Sequence, residues 1–316
     1  MPRPSREKTS RRQLLFAAPA ALFAPAPEAI PGSVLVHEHV LVDFAGVEGD
    51  SRARYSLDEA FQAALPRVQE LKQFGCVRFL ECTPNGLGRD PRLLRRLQDA
   101  TGIEFWTNTG IYGAAKRAGV PKYAYEETAE QLARRWIGEF RNGVEGMKPR
   151  FIKTAVNVFP LEPIDVKLVT AAAITSNETG LVICSHTNGG GPAAMAQIEI
   201  LDKMKCPAGK FVWVHAQSEK DHAYHERAAR AGAWTEFDGI NEKSAAWHLD
   251  CVRHMQSRGL LGQTLISQDS GWYRVGEPGG GRFNGFTFIY TDFLPQLDAP
   301  VRKTLMVDNP RRAFNG

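Results

Sequence analysis

The stretch whose reading decides the fold is Ser33-Val34-Leu35-Val36-His37-Glu38-His39. An apolar run enters it, and two histidines leave it two residues apart. Side chains at i and i+2 of a strand share a face. His37 and His39 are therefore expected to project together from the end of a buried strand. Two imidazoles on one side are the start of a metal site. The helical His-Glu-x-x-His arrangement is different, because it relies on an i, i+4 spacing.

Outward from this stretch, short apolar runs alternate with longer helical patterns. The runs lie at residues 34–36, 76–81, 103–108, 151–155, 181–186, 211–215, 233–237 and 264–269. Between the first two, Ser56 and Glu59 form a capping-box pattern, with Gly75 past the end of the helix. Pro66 lies inside that helix and predicts a kink. Asp90-Pro91 supplies an N-cap with proline at the first helical position, and Gly102 closes the segment. Further helices are expected at about 126–140, 163–175, 192–203, 221–231 and 244–258. Strand-helix alternation repeated about eight times, with continuous apolar strands, argues for an α/β fold with a parallel sheet. At 316 residues a closed (β/α)₈ barrel is the natural solution, forming one domain over residues 31–316. A doubly wound open sheet is the alternative, but no Gly-x-Gly-x-x-Gly turn follows the first strand.

The formal charge of +4 belongs to the first residues. Of 39 basic and 35 acidic side chains, five basic and one acidic precede residue 13, leaving 34 of each. Charge therefore gives no argument for nucleic acid as a partner. Residues 1–30 read as a leader: Ser10-Arg11-Arg12-Gln13-Leu14-Leu15-Phe16, then alanine and proline up to Ala26. Its apolar part is too short to span a bilayer, so no stable membrane insertion is expected. The paired arginines resemble a twin-arginine export signal and predict a periplasmic protein that crosses already folded. The cysteines fit that history. Cys76 and Cys82 fall on one expected strand, roughly 20 Å apart and beyond disulfide reach. Cys184, Cys206 and Cys251 are scattered, as in a protein folded before export.

In a barrel of this kind, the C-terminal ends of the strands face a common mouth where chemistry occurs. The first strand brings His37 and His39, the fourth Lys153, the fifth His186, the sixth His215 and the eighth Asp269. Four histidines, a lysine and an aspartate exceed what one metal needs. Two metals sharing a bridging ligand would use them all. An ammonium cannot ligate a cation, so Lys153 must lose its charge or be modified. The remaining histidines, His222, His225, His248 and His254, read as ordinary polar residues of helices and loops.

From Val34 to about Phe314 the chain resembles the phosphotriesterase-like family of the amidohydrolase superfamily. The resemblance rests on an ordered set of motifs: His-Glu-His at 37–39, Gly-Arg-Asp at 88–90, Thr-Gly-Ile-Tyr at 109–112 and Ile152-Lys153. It continues through Ser-His-Thr-Asn at 185–188, Val-His-Ala at 214–216, Ser-Gln-Asp at 267–269 and Asp-Asn-Pro-Arg-Arg at 308–312. It implies that His37, His39 and Asp269 hold one divalent metal and that His186 and His215 hold another. It also implies that Lys153, carboxylated by CO₂, bridges both beside a shared hydroxide. The metals would be Zn, with Mn, Co or Fe also compatible with this ligand set. The hydroxide would attack an ester or lactone carbonyl, or phosphorus, with Asp269 relaying the proton. Relatives also suggest a homodimer.

For the substrate, Tyr112 matches a tyrosine that borders the pocket in lactonase-type relatives. The seventh strand departs from them, running into Phe237-Asp238-Gly239-Ile240-Asn241 where many lactonases have Asp-Arg-Tyr-Gly. After Asp269, the segment bearing Trp272 and Arg274 reads as a mobile loop over the mouth that contacts substrate. A small ester, lactone or phosphoester is the expected partner. An exported binding protein that has kept its ligands without turnover is the reading of another class.

Overall fold

The structure is a computed structural model and describes residues 28–48 and 51–314. Residues 1–27 of the expected leader lie outside the described residues.

Among the described residues ten strands carry the fold: β1 (Ser33–Val42), β2 (Cys76–Glu81), β3 (Glu104–Trp106), β4 (Asn108–Thr109) and β5 (Phe151–Val156). They continue as β6 (Val182–Thr187), β7 (Phe211–Val214), β8 (Trp234–Phe237), β9 (Thr264–Ile266) and β10 (Gly271–Arg274). Every pairing is parallel, in two sheets ordered β10-β1-β2-β3 and β4-β5-β6-β7-β8-β9. Only Thr107 separates β3 from β4. At the other edges β9 exits beside β1, where the Asp269 amide donates to the His37 carbonyl (3.1 Å) and the His37 amide to Ser267 Oγ (3.0 Å). The α/β class with parallel strands in chain order is as the alternating pattern predicts.

The connecting helices are α1 (Leu57–Gln69), α2 (Pro91–Thr101), α3 (Tyr123–Glu126), α4 (Ala129–Asn142) and α5 (Pro163–Thr179). They continue as α6 (Gly190–Lys203), α7 (His222–Arg230) and α8 (Ala245–Ser257), with α9 (Ala299–Lys303) and α10 (Asn309–Phe314) near the C-terminus. Sequence punctuation acts as expected at several ends. Ser56 accepts from the Glu59 amide, Asp90 accepts from the Arg92 amide, and Gly102 ends α2 in the left-handed conformation. Pro66 does not interrupt α1, which runs on to Gln69 and then tightens into a 3₁₀ segment over Glu70–Phe74. That tighter turn is a common helix ending.

Two apolar clusters follow the two-residue period of the strands. Leu35, Phe79, Ile183 and Phe211 face the helices, whereas Val34, Val36, Val182, Cys184, Val212 and Val214 face one another inside. Phe314 joins the inner cluster against Phe151 and Trp106, near the N-terminal strand ends. The opposite ends are left for polar side chains.

Candidate metal centre

Three local devices aim the polar side chains inward. Lys153 follows Phe151, His186 follows Cys184, and Glu236 follows Trp234, each by the plain alternation of its strand. In β1 the same alternation from Val34 and Val36 would send Glu38 inward. A register irregularity between Leu35 and Glu38 changes the parity, and His37 and His39 enter the mouth instead. His215 and Asp269 leave their strands with φ of 63° and 48°. That left-handed backbone is uncommon outside glycine and costs on the order of 1 kcal/mol or more, as is found at functional positions.

His37, His39, Lys153, His186, His215 and Asp269 all line one cavity, together with Tyr112, Trp272, Phe44, Cys82 and Thr83. All six expected ligands therefore converge. Lys153 Nζ is 3.1 Å from His37 Nε2, and His186 Nδ1 is 2.6 Å from His215 Nε2. Asp269 Oδ1 lies 3.1 Å from His39 Nε2 and 3.8 Å from His37 Nε2.

The far nitrogens of three rings are held by acceptors. His37 Nδ1 donates to Glu236 Oε1 at 2.6 Å and His215 Nδ1 to Asp238 Oδ1 at 2.5 Å. Thr83 gives its own proton to the Leu41 carbonyl, so it accepts from His39 Nδ1, at 2.8 Å. Each Nε2 is thereby left as a lone pair facing the cavity, the tautomer that a metal ligand requires. Burial and the charge of Lys153 push His37 down to about 4, and burial with the neighbouring His215 holds His186 well below the ordinary imidazole range. His37 and His186 are thereby neutral, whereas the Asp238 carboxylate outweighs burial and raises His215. Burial alone would raise the Asp269 carboxyl, but in the ion-free chain a proton on the facing rings of His37 and His39, whose place a cation would take, outweighs it and keeps the group ionised.

The donor set fits divalent cations on direct grounds. Asp269 Oδ1 is buried without a hydrogen-bond donor, an arrangement that is costly unless a cation completes it. Lone pairs of His39 and Asp269 face each other, as do those of His215 and its neighbours. His37, His215 and Asp269 can all reach a single ion.

Four functional residues escaped the sequence reading. Glu236 and Asp238 end β8 at i and i+2, the same signal that exposed His37 and His39. Glu38 accepts from Ser267 Oγ, the Gln268 amide and the Ser270 amide, clamping the segment that carries Asp269. Burial pushes its carboxyl up to about 8. Thr83, just past β2, gave no signal in the sequence.

Other expectations are corrected. The segment after Asp269 is not a loose loop where it begins, because Gly271–Arg274 forms β10 and pairs with the outer end of β1. Trp272 does reach the cavity, packing at a tilt against His39 with 4.3 Å between ring centres. Arg274 does not line it, and its guanidinium instead lies 4.0 Å from Glu277. Tyr112 sits deeper than a rim position, with its hydroxyl 3.1 Å from His186 Nδ1.

Fold and site together define a hydrolase acting on ester bonds. The chain belongs to the phosphotriesterase family, whose profile matches residues 23–314, and that family is metal-dependent. It is 29% identical over 209 residues to an aryldialkylphosphatase of Saccharolobus solfataricus, an alignment spanning 66% of each chain. It is 23% identical over 272 residues to the phosphotriesterase homology protein of Escherichia coli, covering 84% of this chain and 90% of that one. Among solved structures, a triple mutant of the organophosphorus hydrolase from Deinococcus radiodurans superposes with a TM-score of 0.80 at 25% identity, over 94% of this chain and 99% of that one.

Proposed function

We propose that this chain hydrolyses a small ester, with lactones as the preferred class, using two divalent cations held inside a single closed (β/α)₈ barrel. His37, His39 and Asp269 would hold one cation, His186 and His215 the other, and Lys153 as its carbamate would serve both. The observation that carries the reading is the convergence of these six side chains on one cavity, with three ring tautomers set from outside. Cations bound there, Zn or else Mn, Co or Fe, would supply Lewis acidity, acidifying a water and polarising the bond under attack.

The chain's own groups do the rest. Asp269 is ionised, so its oxygen other than the one facing the cation can take the proton released by the attacking water. Tyr112 stays protonated, pushed above the ordinary phenol range by burial and then by Asp269. Its hydroxyl can turn from His186 to donate to a substrate oxygen. Trp272 and Phe44, stacked with ring centres 5.9 Å apart, supply an apolar wall at the entrance. Carbamate formation would exchange the positive charge of Lys153 for a negative one that both cations can share. The leader at residues 1–30 supports export to the periplasm by the twin-arginine route.

Phosphotriesters are the second reading, favoured by the activity for which the Saccharolobus solfataricus aryldialkylphosphatase is named. A panel of lactones and one aryl phosphotriester, assayed before and after chelation, separates the two. Lactone turnover should exceed phosphotriester turnover, and Tyr112→Phe should lower lactone kcat/KM several-fold, the effect of losing about 1 kcal/mol, while sparing the phosphotriester. Phosphotriester turnover above that of every lactone would overturn the substrate class. Turnover indifferent to chelation would overturn the metal reading.

A further inference from the structure

Outside the mouth, the described residues hold another group of ligand-type side chains. His222 and His225 lie three residues apart on α7, so they share a face. Cys251 comes from the adjacent α8. One nitrogen of each imidazole and the Cys251 sulfur all lie within 4.8 Å of one another. His225 and Cys251 are buried, while His222 is half-buried and gives access from solvent.

The hydrogen bonds around the rings decide their tautomers. His225 Nε2 is 2.8 Å from the Ala216 carbonyl, which can only accept. Its proton is therefore on Nε2, and Nδ1 is a lone pair. His222 Nε2 is 3.0 Å from the Asp250 carboxylate, so that nitrogen also carries a proton. The two remaining nitrogens, His222 Nδ1 and His225 Nδ1, nevertheless face each other at 3.0 Å. Two lone pairs at that distance repel unless a cation or a proton lies between them. The spacing is close to the roughly 3.3 Å that two nitrogens adopt on one tetrahedral zinc ion.

The surroundings hold both rings in place for a shared ion. The His222 ring is fixed by stacking on Trp247 and on His254, and His254 is itself held by Glu226 at 3.0 Å. A carbonyl behind one imidazole and a carboxylate behind the other form the outer support that metal-bound histidines use. Lys220, the nearby cation, is engaged over the Trp247 ring.

We propose that His222, His225 and Cys251 form a second metal site, separate from the barrel mouth, that takes one thiophilic divalent ion such as Zn²⁺, with solvent in the open position. On binding, the Cys251 thiol gives its proton to solvent and the thiolate bonds the ion. Burial, and then Asp250, push that thiol up to about 12, so without the ion it stays protonated. The site ties α7 to α8. Through the His225 bond to Ala216 it also steadies the turn that follows His215. Its role is structural, supporting the mouth from behind.

The test is a cobalt titration of the full-length chain stripped with chelator. A thiolate-to-cobalt charge-transfer band in the near ultraviolet is expected, with a final amplitude corresponding to one thiolate-bound cobalt per chain. It should vanish in Cys251→Ser and persist in Cys82→Ser, whose sulfur lies in the mouth cavity. His222→Gln, at a half-buried position that leaves the helix intact, should weaken that equivalent tenfold or more. In zinc analysis, Cys251→Ser should carry one ion fewer than the unaltered chain. A band that survives Cys251→Ser, or no thiolate band in the unaltered chain, would overturn the proposal and leave the imidazoles sharing a proton. Either result is independent of how many ions the mouth holds.

Discussion

Asp238 is the side chain whose replacement reads most directly on the centre, because it touches both halves of it. Its Oδ1 accepts from His215 Nδ1 at 2.5 Å and from Gln217 Nε2 at 3.0 Å, and its Oδ2 accepts from the His215 amide at 3.0 Å. Oδ2 is also 3.4 Å from His37 Nδ1. The carboxyl is buried, and the rings of His215 and His37 hold it well below the ordinary range against the effect of burial. Asp238→Asn keeps the volume but turns one oxygen into a donor. An amide facing Oδ1's partners would oppose two donors, so the side chain should keep its oxygen there and point its NH₂ at the His215 amide. One buried donor then loses its acceptor, and the bond to His215 Nδ1 loses its charge. A charge-assisted bond contributes about 1.5–3 kcal/mol, which corresponds to roughly 10–100-fold in affinity for the ion on His215. Competition of the stripped chain against a chromogenic chelator measures this, with circular dichroism confirming the fold. Glu236→Gln, which touches His37 alone of the two, should weaken only the other ion. An Asp238→Asn chain that is folded and binds both ions as tightly as the unaltered one would refute the claim that this carboxylate sets the ring.

Lys153→Ala should lower kcat/KM at least about 100-fold and release most of one ion, with bicarbonate and a small carboxylic acid restoring part of both. Lys153→Arg should not rescue, since a guanidinium keeps its charge, and an arginine variant with full turnover would sink the bridging role. Gly271 has φ of 102°, and a Cβ there would meet the His39 carbonyl oxygen at 1.8 Å. Gly271→Ala should therefore cost roughly 2 kcal/mol or more, seen as a lowered denaturation midpoint, whereas an unchanged midpoint would mean β10 is not packed on β1 as described. Asp90 caps α2, and hydrogen bonds from Arg92 and Tyr55 outweigh burial to hold its carboxyl below the ordinary range. Asp90→Ala should cost about 1 kcal/mol at neutral pH. Because a depressed carboxyl stabilises above its unfolded pKa and ceases to as pH falls through its folded one, the gap between the two chains should close in acid. A gap that widened there would contradict the assignment.

Repetition and local chemistry in the sequence were enough for the strand order, the parallel class and several helix caps. These depend on contacts within a few residues or on a period of two or 3.6, which a linear chain displays directly. The six mouth ligands were legible for the same reason, since each stands where an apolar run turns polar. Which way they point was not wholly legible. Alternation alone sends Lys153, His186 and Glu236 inward, but His37 and His39 depend on the register irregularity in β1, and His215 on a left-handed residue. Both are settled by the pairing of distant strands. The outer partners Glu236, Asp238 and Thr83 became functional only when β8 and the end of β2 were brought against β1 and β7. Trp272 and Arg274 show the same division. Two residues apart, they looked equivalent as loop residues, yet Trp272 takes a left-handed backbone (φ 77°) and lies over His39, while Arg274 lies beside Glu277. The helix histidines His222 and His225 became a cluster only because α8 carries Cys251 and Asp250 alongside α7. Long-range packing fixes such neighbours, and no spacing along the chain records them.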